Sequence, residues 1–185
     1  MNRRYRCYSI AVTIISATLM LVSNFALALY DPKPDDALAA VQGEWKGSLT
    51  YRDYSKADRL VTLPTKLFVA LASPNELVMQ YVFDDGPNKT VYSYERMKID
   101  FEKNQLTWAT GSGEKPASTY RITASTLARG MRLINFERND DKESKTIQRY
   151  AMELGSSVFR LEKSEVDAVG NAVFRNKYEF TRTRS

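Results

Sequence analysis

Between residues 44 and 182 the chain keeps returning to a period of two. Side chains along a strand point alternately to opposite faces. In residues 43–54, Trp45, Gly47, Leu49 and Tyr51 share one face, while Glu44, Lys46, Ser48, Thr50 and Arg52 share the other, so one face is dry and one is wet. The pattern recurs in 60–72, with Val61, Leu63, Leu67, Val69 and Leu71 on one side and Pro64 marking a bend or bulge. It recurs again in 76–84, where Leu77, Met79, Tyr81 and Phe83 align. In 89–100 the dry face is less obvious, because Tyr92 and Tyr94 oppose Val91, Ser93, Glu95 and Met97. Further segments run over 104–110, 117–125, 130–138, 146–154, 157–165 and 172–182. In the last of these, Phe174, Tyr178 and Phe180 oppose Val173, Arg175, Lys177, Glu179 and Thr181.

Turn-forming residues separate these segments, and about ten short strands at such regular spacing predict an all-β sandwich or barrel. Hairpin-length connections make sequential neighbours antiparallel. Ten such strands can close by pairing the last with the first, which removes both exposed edges. The expected fold is a single antiparallel up-and-down barrel over residues 44–185. An outer-membrane barrel is the main all-β rival, but the outward faces carry Lys, Arg, Glu and Thr where lipid requires an apolar band.

Ahead of the strands, Asp31-Pro32-Lys33-Pro34 reads as a stiff, extended leader. Asp35 or Asp36 can cap a short helix over 37–42, which Gly43 stops. Residues 29–43 are thus a leader and helix that serve as a plug or foot. A Gly43-Glu44-Trp45 opening to the first strand, directly after a short helix, resembles the start of a lipocalin-like (calycin) barrel. The resemblance covers that motif and the strand pattern. It implies that Trp45 closes the bottom of a ligand cup, with an arginine laid across the indole. Antiparallel closure brings Trp45 near Phe180 and Arg182, and strand parity puts Tyr178, Phe180 and Arg182 on one face, so Arg182 is the expected arginine of that closure.

The N-terminus carries Arg3, Arg4 and Arg6, then an apolar run over 10–22, then Ala26-Leu27-Ala28. This is the anatomy of a secretory signal over 1–28, cleaved after Ala28 so that the mature chain begins at Leu29. An uncleaved anchor is the other reading, since 10–28 is nearly long enough to span a bilayer; Ser23, Asn24 and the A-x-A site favour cleavage. Arg3-Arg4 matches a twin-arginine signal poorly, so ordinary Sec export to the periplasm or beyond is expected. Cys7 precedes the apolar run, whereas a lipoprotein cysteine follows the cleavage site.

The mature chain would then hold neither cysteine nor histidine. That excludes disulfides, the usual zinc sites, thiol nucleophiles and histidine-based acid–base pairs. Haem is demoted for the same reason, because only methionine or tyrosine could ligate it. Without the three N-terminal arginines, the 27 basic residues fall to 24 against 22 acidic ones, a net charge of +2 in place of +5. Nothing in that balance calls for nucleic acid, and no metal or cofactor is expected.

Glycines 111 and 113 lack the spacing and the following helix of a phosphate loop, and read as a hairpin turn. Asn88-Lys89-Thr90 fits a glycosylation acceptor as well as it fits a turn into the next strand. The carboxylate pairs Asp84-Asp85 and Asp140-Asp141 fall in turns, where they cannot face each other across a sugar as a glycosidase requires. Calcium would need more converging oxygens. No serine–lysine pair singles itself out.

The 11 tyrosines say more, because several fall on dry faces. Buried hydroxyls need partners, and an apolar cavity edged with tyrosine suits a small amphipathic ligand. The expected ligand-binding set is Leu49, Tyr51, Met79, Tyr81, Tyr120, Tyr150 and Tyr178. A barrel filled by these rings is the competing outcome. The expected function is therefore non-catalytic binding of a small hydrophobic or amphipathic molecule. The alternatives are an envelope interaction or assembly factor that binds a protein partner, and an enzyme using carboxylates or tyrosines.

Overall fold

The first and last strands of the chain pair with each other, and that pairing closes the sheet. In the computed structural model, Trp45 is opposite Arg182, Gly47 opposite Phe180 and Leu49 opposite Tyr178. The ten strands are β1 (Gly43–Arg52), β2 (Leu60–Ser73), β3 (Glu76–Asp84), β4 (Thr90–Asp100), β5 (Gln105–Thr110), β6 (Ser118–Ala128), β7 (Met131–Asn139), β8 (Ile147–Leu154), β9 (Val158–Val166) and β10 (Ala172–Arg182), preceded by a helix α1 (Asp36–Ala40). Each strand pairs antiparallel with its sequence neighbours, and β1 is flanked by β2 and β10. The result is a closed up-and-down barrel with no free edge.

The structure describes residues 36–53, 55–56, 59–111, 116–139 and 146–183. All belong to one compact unit, Pro32–Ser185. The predicted signal over 1–28 with Cys7, the Leu29 start, the 31–34 leader, Asp35, residues 112–115 of the glycine turn and the Asp140-Asp141 pair lie outside the described residues.

The period of two explains which side chains form the core. On β2 and β3 the dry faces read from the sequence point inward, and Leu67, Val69, Leu77, Met79, Tyr81 and Phe83 are buried. Each such side chain contributes roughly 1.5–3 kcal/mol by leaving water. The outer face carries cross-strand ion pairs. Arg96 reaches Glu76 at 2.6 Å, Arg160 reaches Glu153 at 2.8 Å and Glu179 at 3.2 Å, and Arg121 pairs with Glu137.

Two local expectations are corrected, and the open question of the β4 face is decided. Pro64 makes no bulge: it stays in register opposite Ser48, one residue outside the β2–β3 ladder that starts at Thr65, where a missing N–H is tolerated. The irregularity of β2 falls between Leu71 and Ser73. In β4 the inner face is Glu95, Met97 and Ile99, all buried, whereas Tyr92 and Tyr94 are 59% and 52% exposed. In β10 a bulge between Phe174 and Asn176 reverses the alternation. Phe174 therefore pairs with Ser164 on the outer side, not on the dry face with Tyr178 and Phe180.

Candidate functional site

The two ends of the barrel are built differently, and the difference defines the site. At one end α1 lies across the opening, with Leu38 and Val41 fully buried in the core. Trp45 is fully buried beside them, and its indole N–H donates to the Val41 carbonyl at 2.8 Å. The Arg182 guanidinium lies 4.6 Å from the Trp45 ring centroid. Its Nε donates to Ser156 O at 2.7 Å and its Nη1 to Gln42 O at 2.8 Å, while Nη2 donates to Ala40 O. Carbonyls at a helix C-terminus have no partner within the helix. One arginine therefore caps α1, ties it to the β8–β9 turn and covers the indole.

Above this floor the interior is packed with rings. Tyr81, Phe83, Tyr178 and Phe180 form one wall, with Tyr81 and Tyr178 centroids 5.1 Å apart. Trp108, Tyr120, Phe136 and Tyr150 form the other, with Phe136 and Tyr150 stacked at 4.9 Å. Glu95 sits on the inner face of β4 beside both groups. Its Oε2 accepts from the Trp108 indole N–H at 2.9 Å. On the inner faces Glu95 is opposite Met79, and the next inward pair is Tyr81 with Ser93. Burial pushes the Glu95 carboxyl up to about 7, against the opposing pull of hydrogen bonds from Trp108 and Ser93. Burial, with the Glu95 charge nearby, also holds the hydroxyls of Tyr81 and Tyr178 well above the ordinary phenol value.

At the far end the barrel opens. A cavity of ≈310 Å³ is lined by Leu49, Tyr51, Leu63, Phe83, Asp85, Val91 and Asn176. Register explains the grouping: Tyr51 lies between Val61 and Asn176, Leu49 between Leu63 and Tyr178, and Phe83 faces Val91. Across the lumen, β7 to β10 present a polar wall. Arg138 lies over the Tyr120 ring and Lys163 over that of Tyr150, with centroid distances of 5.1 and 5.7 Å. Arg175 Nε donates to Glu165 at 2.7 Å. The Tyr150 hydroxyl donates to buried Gln148 at 3.2 Å. The cavity itself is mostly apolar, with Asp85 and Asn176 as its polar groups, while Arg138, Lys163 and Arg175 stand on β7, β9 and β10. Larger clefts of ≈480 and ≈710 Å³ are open grooves on the outer sheet face, between exposed strand side chains and turns.

The seven side chains proposed from sequence as ligand contacts all face the lumen, at three levels. Leu49 and Tyr51 line the mouth cavity, and Tyr178 is the cross-strand partner of Leu49 on β10. Met79 and Tyr81 are completely buried below them, with the Tyr81 hydroxyl 3.6 Å from the Met79 sulfur. Tyr120 and Tyr150 belong to the opposite wall. Sequence reasoning overlooked Glu95, Trp108, Leu63, Phe83 and Asn176 as site residues. The only signal for Glu95 was that it shares parity with Val91, Met97 and Ile99. Among the described residues, no three His, Cys, Asp or Glu side chains are grouped to hold a metal ion.

No family model matches the chain, and no curated protein matches it in sequence. Solved structures do resemble it. The crystal structure of Rv2717c from M. tuberculosis aligns over 80% of this chain and 96% of its own, with 7% identity and a TM-score of 0.57. A redesigned β-barrel aligns over 82% of this chain and 99% of its own, with 9% identity and a TM-score of 0.42. At such identity the likeness to Rv2717c is one of fold alone, a closed β-barrel.

Proposed function

We propose that this chain is an exported, lipocalin-like binding barrel that holds a small hydrophobic or amphipathic molecule in its mouth without transforming it. The observation that carries this reading is the asymmetry of the barrel: one end is packed with α1, Trp45 and Arg182, and the other carries a cavity lined by Leu49, Tyr51, Leu63, Phe83 and Val91 with Asp85 and Asn176 as its polar groups. Binding sites occur in the mouths of β-barrels, apolar over most of their surface and with a few placed polar groups. Leu49, Tyr51, Leu63 and Phe83 would cover the apolar body of the ligand. Asn176 would meet its polar end.

The test is native mass spectrometry of the protein purified from its own host envelope. A co-purified small molecule, lost in a Leu49→Trp variant that fills the cavity, is the expected result. An empty barrel in both would overturn it. The same preparation tests export: N-terminal sequencing should begin at Leu29, whereas retention of Arg3, Arg4 and Arg6 restores the anchor.

A second reading, an envelope interaction or assembly factor, is favoured by one observation. Phe68, Tyr92 and Tyr94 are exposed on the outer face of β2 and β4, and Phe68 and Tyr94 flank Gln80 in one cross-strand row. A protein partner recovered by crosslinking at Tyr92 or Tyr94, with no small molecule in the mouth, would support this reading over the first.

A further inference from the structure

Among the described residues, the one charged side chain that lines the mouth cavity is an acid. Leu49, Tyr51, Leu63, Phe83 and Val91 supply apolar surface and two aromatic rings to its ≈310 Å³, Asn176 supplies an amide, and Asp85 supplies the charge. Asp85 opens the turn between β3 and β4, and the backbone closes that turn on itself. The Asp85 N–H donates to Lys89 O at 3.0 Å, and the Lys89 N–H to Gly86 O at 3.1 Å. Lys89 Nζ pairs with one carboxylate oxygen, Oδ2. It comes from the outer side: Lys89 lines the ≈480 Å³ groove on the outer sheet face and not the mouth cavity, and its side chain is 65% exposed against 28% for Asp85. Among the described residues Asp85 Oδ1 accepts no hydrogen bond, and the Asn176 amide makes none. The lumen cations Arg138, Lys163 and Arg175 do not belong to the lining.

An ionised carboxylate accepts hydrogen bonds and donates none. A charged acceptor beside two aromatic rings, with no cation in the lining, matches a ligand whose polar end is a cationic donor, because ring faces attract an ammonium as the carboxylate does. A carboxylate ligand would meet Asp85 as a like charge. We propose that the ligand of the mouth is a small apolar amine bound as its ammonium ion, its hydrocarbon body against Leu49, Leu63 and Val91 and its N–H groups donating to Asp85 Oδ1 and the Asn176 amide oxygen. This rests on the reading of the mouth as a ligand site and names the chemistry of its occupant. Lys89 is then a tethered competitor, sharing the carboxylate with the ligand from the other side, and its hold is weak because the ammonium is largely in water.

The probes are octylamine, octan-1-ol and octanoate, which share one alkyl chain and differ in the charge of the polar end. Each is titrated into the protein at pH 7 by isothermal titration calorimetry. The expected order of affinity is octylamine, then octanol, then octanoate. Asp85→Asn should weaken octylamine about tenfold or more and leave octanol unchanged, which also reports that the cavity still folds. Lys89→Met should tighten octylamine by about two- to fivefold, again without effect on octanol. If Asp85→Asn binds none of the three, Lys89→Met decides: tighter octylamine supports the inference and unchanged octylamine overturns it. Octanoate binding as tightly as octylamine, or an amine preference that survives Asp85→Asn, overturns the inference while leaving the binding mouth intact. If the unsubstituted protein binds none of the probes, or if Leu49→Trp weakens none of them, the mouth itself is not a ligand site and the inference falls with it.

Discussion

Arg182 and Trp45 face each other across the seam that closes the barrel, with the guanidinium 4.6 Å from the indole centroid and three of its nitrogens bonded to carbonyls of Ala40, Gln42 and Ser156. A single contact thus joins the first strand, the last strand, the helix and a turn. Deleting the Trp45 side chain leaves a void in the floor and strands both Val41 O and Arg182. Trp45→Ala is expected to cost ~3–5 kcal/mol. Trp45→Phe keeps most of the packing but loses the indole N–H, and should cost about 1–2 kcal/mol more than packing alone explains. Urea denaturation measures both, and unchanged midpoints would show that the floor carries no load.

Arg182→Lys retains the charge but not the planar fork, so it cannot reach three carbonyls and cover the ring together. The expected loss is about 1–3 kcal/mol, in the range for hydrogen bonds to a charged group. It should be concentrated in α1, where hydrogen exchange of residues 36–42 would speed up while the strands stay protected. Uniform exchange across the barrel would mean that the arginine does not hold the helix.

Gly47 leaves no room for a side chain against β10. A Cβ built there would lie 1.8 Å from the Glu179 carbonyl oxygen, a backbone atom that cannot move aside as a side chain can. Gly47→Ala is therefore expected to be destabilising by about 3 kcal/mol, at the upper end for overpacking, through separation of the closing strands. A variant as stable as the original would mean that the seam tolerates a wider spacing.

Glu95 makes stability depend on pH in an unusual direction for a carboxylate. Its value in the folded barrel is about 7 against an ordinary 4.5, so the native state holds the proton more tightly than the unfolded chain does. Its contribution is complete below about pH 4.5, declines as pH rises through 7, and is lost above. The gap between the two values corresponds to about 3 kcal/mol. Glu95→Gln removes the titration, so relative to the original protein it should gain about 2–3 kcal/mol on going from pH 5 to pH 8. Parallel stability curves for the two proteins across that range would contradict this.

Strand count, antiparallel order and the identity of the dry faces on β1 to β3 were written in the local sequence. They follow from a backbone period of two and from turn residues, which act within a few positions of themselves. Trp45, Arg182 and the inward tyrosines could be placed by parity for the same reason. Parity fails wherever one residue is inserted into a ladder, and the bulge before Asn176 put Phe174 on the wrong side. Nothing in residues 172–182 announces that bulge, because it is settled by how β9 and β10 must coil to close the sheet. Equally, Val91, Ser93, Glu95 and Met97 looked no drier than Tyr92 and Tyr94. Only closure, by pointing that face inward against Trp108 and Tyr81, made Glu95 a buried acid and left two tyrosines in water. Which rings fill the barrel and which leave a cavity was likewise a tertiary outcome, since it depends on side chains from β10, β1, β2, β3 and β4 that no local window brings together.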